Sequence, residues 1–168
     1  MSIFYVFQGE TYNQERTGGY VWSPQFNKAG YRNAGYEKMK EIKVGDFILH
    51  NANGEIKAIS VAKTNCYKSD QPKELLIAEK QFEWGMEGYR IDVEYYDFEV
   101  PLITSNYREW LIENYKIDSA FTVKGRGKQQ YMCNIHKEHA LHFIEEAIRL
   151  QKNEKVIECL KKALNIYK

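Results

Sequence analysis

Gly18-Gly19-Tyr20-Val21-Trp22-Ser23-Pro24-Gln25 joins a glycine pair, a short apolar run, a tryptophan and a proline turn. The glycines admit backbone angles that other residues resist, and Pro24, which has no N–H, stops a ladder from continuing. The pattern predicts a short strand, Tyr20 to Trp22, that ends with an indole next to a hydroxyl and an amide. A rigid aromatic plane beside hydrogen-bonding groups suits a pocket for a flat heterocycle. It equally suits a core tryptophan capping a sheet, and the stretch alone leaves both readings open.

Upstream, Ile3-Phe4-Tyr5-Val6-Phe7 is β-branched and aromatic and predicts a buried first strand. Gln8 to Gln14 reads as a polar loop that could hang over Trp22 and offer paired donors and acceptors to a base edge, or simply be solvated. Downstream, Tyr36, Met39 and Ile42 at helical spacing predict a short helix within residues 26–42. Phe47 to His50 and Ile56 to Ala62 predict a hairpin turning at Asn51-Ala52-Asn53-Gly54. Lys73 to Lys80 predicts a short helix, and Phe82-Glu83-Trp84-Gly85-Met86 a loop with a second tryptophan. Leaving Trp84 in water exposes a large apolar area, so it is expected on the core or as a pocket wall. Tyr89, Ile91, Val93 and Tyr95 alternate with Arg90, Asp92, Glu94 and Tyr96. This period of two predicts a half-buried strand, continued by Phe98 to Ile103 past a break at Pro101. A helix over residues 107–115 with Trp110 in the core, a strand at 121–123 and a last strand at 131–135 follow. Two helices close the chain, the second marked by Val156, Ile157, Leu160, Ala163 and Leu164.

A length of 168 residues suits one domain with a small appendage. The expected division is residues 1–150 and 151–168, the closing helix serving as an appendage, a linker to a further domain, or the contact of a homodimer. A formal charge of +1 argues against a strongly basic nucleic-acid binder while leaving room for a local basic patch. Three widely spaced cysteines make no disulfide framework and fit a reducing, cytoplasmic setting. No signal-peptide pattern opens the chain, and no apolar run approaches the roughly 20 residues of a membrane span.

Lys124-Gly125-Arg126-Gly127-Lys128 concentrates three cations on backbone able to approach a phosphate, though it lacks the spacing of a nucleotide-binding P-loop. A solvated charged loop is the plainer account. Arg32 and Lys28 are weaker phosphate candidates of the same kind. Cys133-x-x-His136-x-x-His139-x-x-His142 invites a zinc reading, but steps of three drift around a helix, and no second cluster completes four ligands. No metal and no cofactor is expected. Neither a serine elbow nor a cysteine–histidine signature points to catalysis, and Asp92 and Glu94 fall on one solvent-facing side of a strand.

The order of these motifs resembles the EVE and YTH domains of the PUA-like superfamily. It is similar above all to the N-terminal reader domains of modification-dependent restriction enzymes. The resemblance covers about residues 3–148, with its clearest motifs at 18–25, 44–62 and 89–102. It implies an α+β fold: a PUA-like twisted β-barrel of about six strands surrounded by helices, with a C-terminal helical extension. It further implies binding of a modified base, flipped from duplex DNA or presented by RNA, in an aromatic cage. By position, Trp22 matches the cage tryptophan and Ser23 the base-contacting residue after it, flanked by Tyr20 and Pro24. Trp84 matches the cage residue of the later loop. Glu10, Asn13 and Gln14 match the polar base contacts, Glu10 departing from the usual Asn. Lys124, Arg126, Lys128 and Arg32 are the expected phosphate contacts. The implied role is DNA recognition for a modification-dependent nuclease, whose nuclease or motor part lies beyond this chain or on a partner. Binding of modified or structured RNA is the alternative, and a small PUA-like hydrolase acting on a nucleoside-like amide the third.

Overall fold

The computed structural model describes residues 1–78 and 87–168. Its first strand, β1 (Ile3–Phe7), is apolar without interruption because both of its faces are buried. Ile3 and Tyr5 enter one core, Phe4 and Val6 another, as the alternation of a strand requires. The sheet formed by the described residues has seven strands: β1, β2 (Tyr20–Ser23), β3 (Phe47–Ala52), β4 (Glu55–Ala62), β5 (Tyr67–Ser69), β6 (Gly88–Ile103) and β7 (Met132–Asn134). They run in the order β2-β6-β4-β3-β1-β7, with β5 off the path against β6. Among the described residues only β1 and β3 pair in parallel.

The length of β6 curls this sheet. Its first residues pair with β2, Trp22 opposite Arg90, and with β5. Its later residues pair with β4, Ser60 opposite Tyr95. One strand thus serves three partners, and the sheet becomes an open barrel whose main path, among the described residues, ends at β2 on one side and β7 on the other. The expected break at Pro101 is a register irregularity opposite Lys57, between Ile56 and Ala58, within a continuous strand. The β3–β4 hairpin turns on two residues, Asn53 and Gly54, both at positive φ (53° and 77°), the backbone that a two-residue hairpin needs.

Among the described residues the chain has six α-helices: α1 (Tyr12–Gly18), α2 (Ala34–Glu37), α3 (Lys73–Ala78), α4 (Arg108–Glu113), α5 (Lys137–Leu150) and α6 (Glu154–Asn165). α5 and α6 cover one sheet face: Phe143, Ile144, Leu160 and Ala163 share a core with Tyr5, Leu49 and Ile59. The closing helix packs into the same core as the sheet. Asn153 starts it by accepting from the N–H groups of Lys155 and Val156. Gln151, buried just before it, bonds both the N–H and the C=O of Val100.

Four local expectations change. The polar stretch 8–14 is not a loop: a 3-10 turn (Gly9–Thr11) leads straight into α1. The glycine pair ends that helix, Gly19 adopting φ 73° as its left-handed cap. Within 26–42 the helix shrinks to α2 plus a 3-10 turn, because Phe26 and Arg32 first pair across a small loop. Residues 121–123 are no strand; Phe121 makes a single bridge to Gly127 around a turn at Gly125. Trp110 is only partly buried, stacked on His142 at 3.8 Å.

Candidate functional site

Between these two ends of the barrel lies a cavity of about 310 Å³. One wall is the end of β2: Trp22, Ser23 and Pro24. The opposite wall is the segment that enters β7, from Lys128 to Tyr131. Phe7 and Thr11 close one end; Asn33 and Tyr36 of the α2 region and Leu75 of α3 complete it. The cavity is thus aromatic in its walls and carries hydroxyls, amides and one ammonium at its margins. Pockets of a few hundred Å³ with apolar walls and few polar groups are the usual form of small-ligand sites.

Trp22 is 3% exposed, so most of its ring is core. Its Nε1 donates to the Ser69 carbonyl at 3.0 Å. Gly88 lies so close that a Cβ there would stand 2.4 Å from Trp22 Cζ2. The part of the residue left over borders the cavity. The core reading of the opening stretch holds, and Trp22 also belongs to the lining of the cavity.

Behind the cavity stands Glu15, fully buried on α1. Its Oε1 accepts the Trp22 N–H at 2.9 Å and the Tyr131 hydroxyl. Its Oε2 accepts the Thr11 hydroxyl at 2.7 Å and Gln8 Nε2 at 3.2 Å. One carboxylate thus ties together both edges of the barrel and the turn between them. Burial pushes its pKa up to about 7, against the lowering effect of the four bonds, and no lysine or arginine pairs with it among the described residues. Gln8 extends the network inward. Its Nε2 also donates to the Tyr95 hydroxyl, so its Oε1 faces His50 Nδ1 at 2.7 Å. His50 Nε2 lies 2.6 Å from Ser60 Oγ. Nδ1 therefore carries the imidazole proton, and Nε2 accepts from Ser60. Burial holds His50 down to about 3, so it is neutral.

The other predicted residues divide. Lys128 lines the cavity; Lys124 and Arg126, in the same loop, are exposed and outside its lining. Tyr20 is buried, its ring under Arg90 at 4.2 Å and its hydroxyl on Glu74 at 2.8 Å, so it supports β2 without reaching the cavity. Glu10 is exposed on the 3-10 turn. Asn13 and Gln14 line a separate depression with Thr17, Gly18 and Glu74. They miss the cavity because α1 turns them away from it; Thr11, one turn earlier, takes that place. Arg32 is held by Glu37 at 2.7 Å and lies outside the lining. Trp84 falls outside the described residues. His136 caps α5, His139 is held between Ser119 and Asn114, and His142 stacks on Trp110, so the spaced histidines serve packing. Thr11, Glu15, Asn33 and Tyr131 were not singled out by the sequence. The signal available was an acid three residues after Tyr12 on a helix that Gly19 closes.

No family model matches the sequence, and no curated protein matches it. Solved structures do match its fold, an α+β arrangement around a curled sheet. A protein from Pseudomonas putida superposes with a TM-score of 0.57 at 10% identity, covering 87% of this chain and 99% of that one. The DUF55 domain of human thymocyte nuclear protein 1 gives 0.56 at 8% identity, covering 87% and 98%. The Pho92 YTH domain in complex with m6A gives 0.53 at 10% identity, covering 90% and 87%. The chain has the fold of these domains.

Proposed function

We propose that the chain is a reader of a modified nucleobase, which enters the cavity between β2 and β7. The observation that carries this reading is the cavity itself, where Trp22, Tyr36 and Tyr131 meet hydroxyls and amides at a size suited to one base. Its likeness in fold to a YTH domain solved with m6A supports the reading. Flipping a base out of a duplex costs a few kcal/mol, and stacking on an aromatic returns ~1–3 kcal/mol per base. Edge hydrogen bonds must supply the remainder, which the polar margin of the cavity is suited to do. Burying one methyl group adds about 0.8 kcal/mol, roughly a four-fold preference. On this reading Lys128, with Lys124 and Arg126 in the same loop, meets the backbone phosphates. Duplex DNA is the first partner to test, and single-stranded RNA its alternative. On this reading the domain addresses an effector, a nuclease or motor, that acts from elsewhere.

The test is direct binding of fluorescent oligonucleotides carrying 5-methylcytosine, 5-hydroxymethylcytosine or N6-methyladenine, each against its unmodified counterpart, as duplex DNA and as single-stranded RNA. At least one modified strand should bind four-fold or more tighter. Equal affinity across every pair overturns the reading.

A further inference from the structure

Three hydroxyls around the cavity have their protons committed to the protein. Thr11 Oγ1 stands 2.9 Å from the Gln8 carbonyl and 2.7 Å from Glu15, both of them acceptors. Tyr131 donates to Glu15. Ser23 Oγ donates to the Pro24 carbonyl at 3.1 Å. A hydroxyl whose proton is spent has only lone pairs left to offer. Above about pH 7, where Glu15 is ionised, it enforces this for two of the three: it is buried, surrounded by four donors, and has no proton to give back.

We infer that Thr11, Ser23 and Tyr131 form an acceptor-only edge that sets the specificity of the cavity, favouring a base with an exocyclic amino group over one with a carbonyl in the same place. The inference rests on the reader function proposed above and adds to it the residues that choose the base. An amino N–H finds three oxygens able to accept it. A carbonyl placed there meets lone pairs, with no proton to share, and stays unsatisfied in a desolvated site. Sites built this way discriminate strongly, because the mismatched polar group loses its water and gains nothing. Asn33 works in the opposite sense: its Oδ1 is occupied by the N–H groups of Gly35 and Tyr36, which leaves its Nδ2 to donate toward a ring nitrogen.

The experiment, run at pH 8 so that Glu15 is ionised, uses the full chain and single-stranded oligonucleotides that differ at one base: 5-methylcytosine against thymine, and N6-methyladenine against hypoxanthine. The amino member of at least one pair should bind ten-fold or more tighter than its keto partner. Tyr131→Phe and Thr11→Val, which keep shape and remove the acceptors, should each shrink that ratio several-fold. Lys128→Ala should weaken both members alike and leave the ratio unchanged. A thermal melt of each variant confirms folding, and the wild-type ratio stands as a test even if a variant fails to fold. Equal affinity within both pairs, or a keto preference, overturns this inference while tight binding of modified strands keeps the reader function. Failure to bind any of these strands overturns this inference, and only together with equal affinity across the modified and unmodified duplex pairs above does it overturn the reader function as well.

Discussion

Glu15 and His50 carry opposite pH signatures within one hydrogen-bonded network, joined through Gln8. Glu15 has a folded pKa of about 7 against an ordinary 4.5. Between those values the folded protein keeps a proton that the unfolded chain has shed, so this group's contribution falls as pH rises and is fully lost above about 7. His50 lies near 3 against an ordinary 6.5. Below 6.5 the unfolded chain takes up the proton first, so its contribution is present at higher pH and is lost as pH falls toward 3. Tyr131, Tyr95 and Tyr20 face Glu15 from the other elements; all three are held above the ordinary phenol range by burial and stay neutral here. Glu15→Gln removes only the first signature. Between pH 5 and 8 the wild type should lose stability relative to this variant by on the order of 3 kcal/mol, readable as denaturation midpoints at each pH. A pH-independent difference would show that the Glu15 proton is not coupled to folding.

At the scale of elements, the approach of β2 to β6 is set by a missing side chain. A Cβ on Gly88 would stand 2.3 Å from the Ser23 carbonyl and 2.4 Å from the Trp22 ring. Gly88→Ala should therefore push Trp22 and Ser23 toward the cavity. The expected cost is roughly 1–3 kcal/mol of stability, with a shift in tryptophan fluorescence and weaker oligonucleotide binding. An unchanged melting midpoint would mean the strands separate without cost. Six of the seven strands were legible in the sequence, because their apolar runs and the Asn53-Gly54 turn obey local rules; β5 was not foreseen, and residues 121–123 were read as a strand they do not form. α1 was not legible. Its seven residues bury only Tyr12 and Glu15, so it has no apolar stripe to announce it, and a buried acid reads as a solvated one. The cavity shared this fate in part. Trp22, Ser23 and Pro24 stood out locally, whereas Thr11, Glu15, Asn33 and Tyr131 meet them only because the barrel brings its two edges face to face. No spacing in the chain encodes that meeting.

At the scale of the whole molecule, α6 belongs to the main core: Leu160 is fully buried among residues of the sheet and α5. Leu160→Ala should cost about 2–5 kcal/mol and lower a single cooperative transition seen by circular dichroism. A midpoint equal to that of the wild type would make the helix an independent attachment. None of the described helices is long and apolar enough to cross a membrane. The place of β1 in the sheet has a consequence for how the chain is made. Tyr5 sits between Leu49 on β3 and Cys133 on β7, so of the described strands of this sheet the first to be synthesised is flanked by the last. At about 5–20 residues per second of synthesis, β1 and β3 join early and then wait roughly ten seconds with one edge bare. During translation that edge is the place where a chaperone, or a second nascent chain, finds this protein unfinished.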